Sequence, residues 1–251
     1  MRSLMKHVLL LGNQGAAAAP SPLLTDLYDF WSFEEVSGNR TGDYAGHVLT
    51  DTNTVGQAAG KVDNAASFVA TQNEYLKGAN ITFGDQDFEA CGWVYLTSKV
   101  SSVIVGQYDF GDNNRCWRLL YTPISDRFEF SISRDGTSGT VTTVVANTFG
   151  AVSVDTWYFF SVRYDAAGNL ATLQINTSAD AASHSGGAFT GNEGFAVGMN
   201  FSTTTLVQPL DGRVDQLLLR VGSLLESDDR TWLYNSGNGR SYAEIVAYTG
   251  P

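Results

Sequence analysis

Leu210-Asp211-Gly212-Arg213-Val214-Asp215 leads into an apolar run near the end of the chain, and Tyr28-Asp29-Phe30-Trp31-Ser32-Phe33-Glu34-Glu35 stands near its start. Short segments rich in aromatic, β-branched and leucine residues, bounded by Gly, Asp and Asn, are typical of β-strands. We expect these two segments to be the closing and opening strands of one all-β domain.

Between them the same kind of segment recurs many times. Phe128-Glu129-Phe130-Ser131-Ile132-Ser133 alternates apolar and polar residues, as a strand with one buried face does, and it is followed by the hairpin signal Asp135-Gly136. A second apolar strand, Thr156 to Tyr164, is followed by a turn at Asp165 to Asn169. Many short strands at this spacing predict a two-sheet antiparallel jelly-roll sandwich.

The last part of the chain carries the one clear helix signal. A short C-terminal helix is predicted at about Leu224 to Asn235, with Ser223 or Ser227 as its cap and Gly237 just beyond its end. The residues from 239 to 251 are expected to form one more strand or a contact segment.

Composition sets limits on the class of protein. The chain has 251 residues, of which 43% are hydrophobic and 16% are charged, so we expect a single globular domain at 26–251. The net charge of −11 would be repelled by a phosphate backbone, so no nucleic-acid partner is expected. No apolar run approaches the roughly 20 residues of a membrane span, so none is predicted.

The two cysteines, Cys91 and Cys116, are too few for a disulfide framework or a structural zinc site. They could pair if they lie on neighbouring strands. The alternative is two reduced, buried thiols.

Residues 1–25 have a different composition from the rest. Their basic start and the apolar run Val8 to Leu11 resemble a secretory signal, but four apolar residues fall short of the about seven to fifteen of a working signal. Pro20 and Pro22 would stiffen the segment. We expect an extended N-terminal arm that contacts a neighbouring protein subunit, which makes the protein an oligomer or part of a large assembly.

Segments across residues 27–237 occur in the order found in one known superfamily. They begin with an aromatic-x-Phe-x-Glu strand at Trp31–Glu35, a Gly-Lys-x-x-x-Ala-x-x-Phe segment at Gly60–Phe68 and a sheet tryptophan, Trp93. They continue with an Asp-x-Trp-Tyr…Val-x-Tyr-Asp segment at Asp155–Asp165, a Gly-x-x-Asp strand at Gly212–Asp215 and a closing Leu-Tyr-Asn-x-Gly at Leu233–Gly237. The chain thus resembles the concanavalin A-like lectin/glucanase superfamily, in its laminin-G-like branch.

The resemblance implies a domain that binds sugars or surfaces. Glucanases on this fold place their carboxyl groups along one strand as Glu-x-Asp-x-x-Glu, a pattern this sequence lacks, since Glu129 stands alone on its strand. His7, His47 and His184 are expected in the arm and in solvated loops. We therefore expect a protein that is not an enzyme, and no catalytic residue is predicted.

Relatives of this fold commonly bind a metal between the early loops and the late Asp strand. Asp43 and Asp215 match those positions and are the candidate calcium ligands. Two observations leave calcium binding undecided at the level of sequence. Phe68 is followed by Val69, where the family often has a carboxylate, and both aspartates could instead hydrogen-bond backbone amides.

Aromatic side chains next to polar ones are candidates for sugar binding. The richest such cluster runs from 108 to 117, and the predicted ligand-binding residues are Tyr108, Asp109, Asp112, Asn114 and Trp117. The alternative is that the aromatic residues pack in the core and that Asp112 to Asn114 is simply a turn.

Together these features predict a surface-displayed binding or adhesion module that recognises a glycan or cell-surface receptor. Its second expected role is a structural or decoration subunit, such as one on a phage virion, anchored by the arm with the sandwich facing outward. The expected location is the virion surface or the extracellular space. The alternative is a secreted carbohydrate-active enzyme, a hydrolase or lyase, or a free lectin.

Overall fold

The computed structural model describes residues 20–202 and 205–250. Most of its regular structure is β-strand, as predicted. The strands are β1 (Leu27–Trp31), β2 (Arg40–Thr41), β3 (Val48–Thr52), β4 (Gly56–Ala59), β5 (Asn64–Phe68), β6 (Tyr75–Lys77), β7 (Phe88–Leu96), β8 (Ser102–Asp109), β9 (Asn114–Thr122), β10 (Arg127–Gly136), β11 (Val141–Val145), β12 (Trp157–Asp165), β13 (Leu170–Ile175), β14 (Ser178–Ser183), β15 (Ala196–Val197), β16 (Asn200–Ser202), β17 (Thr205–Val207) and β18 (Gly212–Val221). Two α-helices follow, α1 (Ser227–Tyr234) and α2 (Tyr242–Ala247), and short 3-10 helices lie at Pro22–Leu24, Ala70–Gln72, Ser138–Thr140 and Asn235–Gly237.

The strands form two sheets. The eight-stranded sheet has the order β14-β13-β12-β7-β18-β5-β4, with β1 also paired to β18. The ten-stranded sheet has the order β11-β10-β9-β8-β15-β6-β3-β2, with the β16–β17 hairpin alongside β8. Pairing is antiparallel except for one parallel bridge between Phe201 and Asp109. The first and last predicted strands, β1 and β18, are direct neighbours, which confirms that they belong to one all-β sandwich.

The main core lies between the sheets. Alternating residues of the strands point inward and are fully buried, among them Phe88, Val94, Phe130, Phe160 and Leu219. Because successive side chains on a strand face opposite sides, the residues between them form the outer faces of the two sheets.

A second apolar cluster covers the outer face of the eight-stranded sheet. Phe30, Trp93, Phe159 and Leu218 point outward from the sheet and are buried beneath the C-terminal helices, where Ile245 of α2 is fully buried. Of the two alternatives predicted for 239–251, the strand was therefore wrong for residues 242–247, which form α2. Ser241 and Glu244 form a capping box that starts this helix.

The predicted helix at Leu224 to Asn235 is present but shorter. It begins after Glu226, not after Ser223 or Ser227, and Glu226 and Asp229 cap each other's backbone amides. Among the described residues no helix is long and apolar enough to span a membrane.

Only part of the predicted arm is described. Pro22–Leu24 form a single 3-10 turn capped by the Ser21 hydroxyl, which accepts a hydrogen bond from the Leu23 amide. Leu23 is fully buried in the second apolar cluster. Residues 1–19 of the predicted arm lie outside the described residues.

The two cysteines are free and buried, one in each sheet. Cys91 packs in the second cluster and Cys116 in the main core. Burial raises the pKa of both thiols, so neither is a ready thiolate.

Candidate functional site

The turn between β8 and β9 is held by its own polar side chains. Asp109 accepts a hydrogen bond from the Gly111 amide at 2.7 Å, and Asn113 adopts a left-handed backbone conformation with φ of 53°. Asn tolerates that conformation better than most residues, so the local sequence favours a tight turn. Asp112 and Asn113 are left exposed at its tip.

A polar depression of about 400 Å³ lies at this turn. It is lined by Asp112, Asn113 and Asn114 on one side and by the loop 189–192 on the other. The two sides are joined by paired amides: the Asn114 Nδ2 donates to Asn192 Oδ1 at 2.6 Å, and the Asn192 backbone amide donates to Asn114 Oδ1 at 3.2 Å. Gly191 permits this approach, because a Cβ there would lie 1.8 Å from Asn114 Oδ1.

Next to the depression, an arginine lies against two aromatic rings on the outer face of the ten-stranded sheet. The Arg118 guanidinium is 4.5 Å from the ring centre of Tyr108 and 4.6 Å from that of Phe110. Its Nη1 donates to Gln208 Oε1 at 2.8 Å. Burial lowers the pKa of Arg118, but arginine stays protonated in proteins, so the stack carries a positive charge.

We call the depression and the Tyr108–Phe110–Arg118 stack together the hairpin-tip site. It offers amide, hydroxyl and carboxylate groups beside the half-buried rings of Phe110 and Phe189. A concave surface with a few fixed polar groups and aromatic walls is suited to binding a small polar ligand.

The predicted ligand-binding residues divide into three groups in the structure. Asp112 and Asn114 line the depression, while Tyr108 and Asp109 are 3% and 5% exposed and support the site from beneath. Trp117 is fully buried among Phe83, Phe88, Phe130 and Phe195 in the main core, so its ring faces are not available to a ligand.

The sequence did not predict the residues that line the other half of the depression. Phe189, Thr190, Gly191 and Asn192 lie in a loop that is more than seventy residues away along the chain. Their one local signal is a Gly-Asn pair, which also fits any turn. Only the folded chain brings this loop to the β8–β9 turn.

Asp215 lies on the outer face of β18 and is fully buried. Its Oδ2 accepts hydrogen bonds from the Lys61 and Val62 amides at 2.7 and 2.9 Å, which ties the loop after β4 to the sheet. Its Oδ1 is buried without a partner, and burial raises the pKa of Asp215 to about 7.

Asp43 belongs to a different network. Its carboxylate accepts a hydrogen bond from the Ser32 amide at 2.8 Å, and burial raises its pKa, with Glu35 and Asp29 as its acidic neighbours. The acidic neighbour of Asp215 is Glu34.

Calcium requires about six to eight oxygen ligands around one point. Among residues 20–202 and 205–250 no group of three or more His, Cys, Asp or Glu could hold a metal ion. Asp43 and Asp215 belong to separate hydrogen-bond networks with different acidic neighbours. Calcium binding stays a prediction of the sequence.

His47 is exposed in the loop before β3, as expected, and its Nδ1 lies 3.0 Å from Asp29 Oδ2. His184 differs from the expectation of a solvated loop residue. His184 is buried, with Nδ1 2.9 Å from Thr142 Oγ1 and Nε2 2.8 Å from the Gly187 carbonyl oxygen. Its role is to hold the loop after β14. His7 lies outside the described residues.

No protein-family model and no curated protein matches the chain. Solved structures do match its fold. The binding domain of Paraclostridial mosquitocidal protein 1 is similar with a TM-score of 0.65 and 16% identity, over 86% of this chain and 53% of that one. Domain 4 of AbnA, an extracellular arabinanase from Geobacillus stearothermophilus, was solved with arabinotriose. It is similar with a TM-score of 0.59 and 17% identity, over 80% of this chain and 94% of that one.

A third similar structure comes from a study of botulinum neurotoxin type C, whose cell entry depends on interaction with two ganglioside molecules. Its TM-score is 0.61 at 9% identity, over 84% of this chain and 51% of that one. The chain spans about half the length of the two toxin chains. At these identities the likeness shows the fold alone, which is a β-sandwich shared with toxin binding domains and with a domain of a glycan-cleaving enzyme.

Proposed function

We propose that this protein is a non-catalytic binding module of laminin-G-like type, which recognises a glycan on a cell surface through the hairpin-tip site. The observation that carries the proposal is the polar depression at the β8–β9 turn with aromatic rings and an arginine beside it. The similarity to a domain solved with arabinotriose and to a ganglioside-dependent toxin supports a sugar as the ligand.

We further propose that the module is displayed outward from a larger assembly, such as a virion, or in the extracellular space. The net charge of −11 supports a neutral or cationic partner surface over an anionic polymer. In this proposal residues 1–19 provide the anchor to neighbouring subunits.

A glycan array tests the binding proposal. The full chain is compared with Phe110→Ala, which removes a half-buried ring outside both apolar clusters, and with Ile124→Ala, a control residue that is 97% exposed in the turn at the other end of β9. We expect binding to at least one glycan class, weakened about ten-fold or more by Phe110→Ala and unchanged by Ile124→Ala.

Each array is run with calcium and with a chelator, which also tests the calcium prediction. Binding to no glycan, or equal binding by the Phe110→Ala variant, would contradict the hairpin-tip site. Release of reducing ends from a bound glycan would instead support the enzyme alternative.

A further inference from the structure

The opposite side of the molecule carries a second groove, between α1 and the edge of the eight-stranded sheet. Its volume is about 250 Å³, a little below the roughly 300–1,000 Å³ of drug-sized pockets. It is lined by Arg163, Gln174, Asn176, Thr177, Ser227, Arg230, Thr231 and Tyr234. We call it the arginine groove, and its size suits one sugar ring or a smaller group.

One buried carboxylate lies near both arginines of the groove. Glu89 is fully buried on the outer face of β7, and it accepts hydrogen bonds from the Ser161 hydroxyl at 2.7 Å, the Leu225 amide at 3.0 Å and Arg230 Nη1 at 3.2 Å. Arg163 reaches it only indirectly, because its Nη1 donates to Ser161 Oγ at 3.3 Å.

Each arginine therefore keeps donors for the groove. Arg230 uses Nη1 to bind Glu89 and the Leu225 carbonyl oxygen, and Arg163 uses Nη1 to bind Ser161 Oγ. A guanidinium has five N–H donors in a planar fork, which match the two oxygens of a carboxylate. Both arginines line the same cavity.

The charge balance of the groove is positive, in contrast to the chain as a whole. Burial lowers the pKa of Arg163, and the charge of Arg230 lowers it further, while Glu89 opposes both effects. Arg163 and Arg230 are the charged side chains in the lining of the groove, so the lining carries positive charge and favours an anionic ligand.

The rest of the lining consists of neutral hydrogen-bonding groups. Gln174 donates its Nε2 to the Asn176 carbonyl oxygen at 2.8 Å, so its Oε1 remains as an acceptor toward the groove. Thr177 and Ser227 are exposed hydroxyls at the mouth, and Tyr234 adds an aromatic wall. Such groups can hydrogen-bond to the hydroxyls of a sugar, whereas an apolar acid would leave them without partners.

We propose that the arginine groove binds the carboxylate of an acidic sugar, with Arg163 and Arg230 holding the carboxylate and Gln174, Thr177 and Ser227 contacting hydroxyls. This site lies on the sheet opposite the hairpin-tip site and does not depend on it. It gives the module a second, charge-selective contact with a glycan surface.

Isothermal titration of the full chain at fixed ionic strength tests this proposal. The probes are N-acetylneuraminic acid, glucuronic acid, the methyl ester of N-acetylneuraminic acid, which has the same shape without the charge, and sodium acetate. We expect one or both sugar acids to bind. The ester should bind about ten-fold more weakly or worse because it lacks the charge that strengthens hydrogen bonds to guanidinium groups. Acetate should bind about ten-fold more weakly or worse because it lacks the sugar hydroxyl groups.

Three variants locate the site. Arg163→Gln should weaken binding of the sugar acid about ten-fold or more, whereas Arg134→Gln, at an exposed arginine on β10 of the other sheet, should leave it unchanged. If Arg163→Gln fails to fold, Thr177→Glu at the exposed mouth places a competing carboxylate there and should abolish binding.

The proposal is overturned if neither sugar acid binds, if the ester binds as well as the acid, or if Arg134→Gln weakens binding as much as Arg163→Gln. Equal binding of acetate overturns the assignment to a sugar. Phe110→Ala should not change this titration, so failure here is distinguishable from failure of the hairpin-tip site.

Discussion

Trp117 and Arg118 are neighbours on β9 and serve different purposes because successive side chains of a strand face opposite sides. Trp117 is fully buried between the sheets, and its neighbour lies on the outer face against Tyr108 and Phe110. Sequence alone identified the segment as rich in aromatic and polar residues. Which of its aromatic rings were available to a ligand depended on which face of the strand met the other sheet.

His184 gives a prediction at the same scale. Burial lowers its pKa below the usual 6.5, so the folded protein binds a proton there less readily than the unfolded chain. Its contribution to stability is complete above about pH 6.5, the pKa of the unfolded chain, and is lost as the pH falls below that value. We therefore expect the free energy of unfolding of the protein to decrease relative to that of His184→Gln as the pH falls below about 6.5. Asp215, whose pKa is raised to about 7, shifts the stability of both proteins alike in the opposite direction.

Urea unfolding of both proteins across this pH range measures the difference. Gln can still donate to the Gly187 carbonyl oxygen, so the variant should stay folded. Parallel curves for the two proteins would show that another group causes the pH dependence.

At the scale of elements, the C-terminal helices stabilise the eight-stranded sheet by covering its outer face. Each helix is too short to be stable alone, so both depend on the apolar cluster beneath them. Leu23 of the N-terminal 3-10 turn packs into the same cluster, which brings both ends of the described chain to one side of the sandwich. The arginine groove exists only because α1 lies over this sheet.

Substitution of Ile245 tests how much the packing of α2 on the sheet contributes to stability. It is fully buried, whereas its neighbour Val246 is 46% exposed. We expect Ile245→Ala to lower the free energy of unfolding by about 2–5 kcal/mol and Val246→Ala by less than about 0.5 kcal/mol, measured by urea denaturation. Similar small losses for both variants would mean that α2 contributes little to the stability of the sandwich.

At the scale of the whole molecule, the sandwich presents two sides with different chemistry. The ten-stranded sheet carries the polar hairpin-tip site, and the outer face of the eight-stranded sheet is covered by helices, with the arginine groove beside α1. An assembly that displays this protein must leave at least one of these sides free if binding is its function.

The assembly proposal is tested by the native mass of the full chain and of a chain that lacks residues 1–19. The truncation stops before Pro20 because Leu23 is buried and its removal would damage the fold. We expect the full chain to form larger particles or to bind one, and the truncated chain to be a folded monomer, by light scattering. Identical monomers would contradict the anchoring role and favour a free lectin.

The sequence by itself determined the all-β sandwich, its opening and closing strands, and the turn that carries Asp112 and Asn114. These are set by local alternation and turn residues, which act over a few positions of the chain. Only the tertiary structure decided that Trp117 is in the core, that the loop 189–192 completes the depression, and that residues 242–247 form a helix over the sheet. Each of these depends on contacts between segments far apart in the chain, and such contacts have no signature in the local pattern.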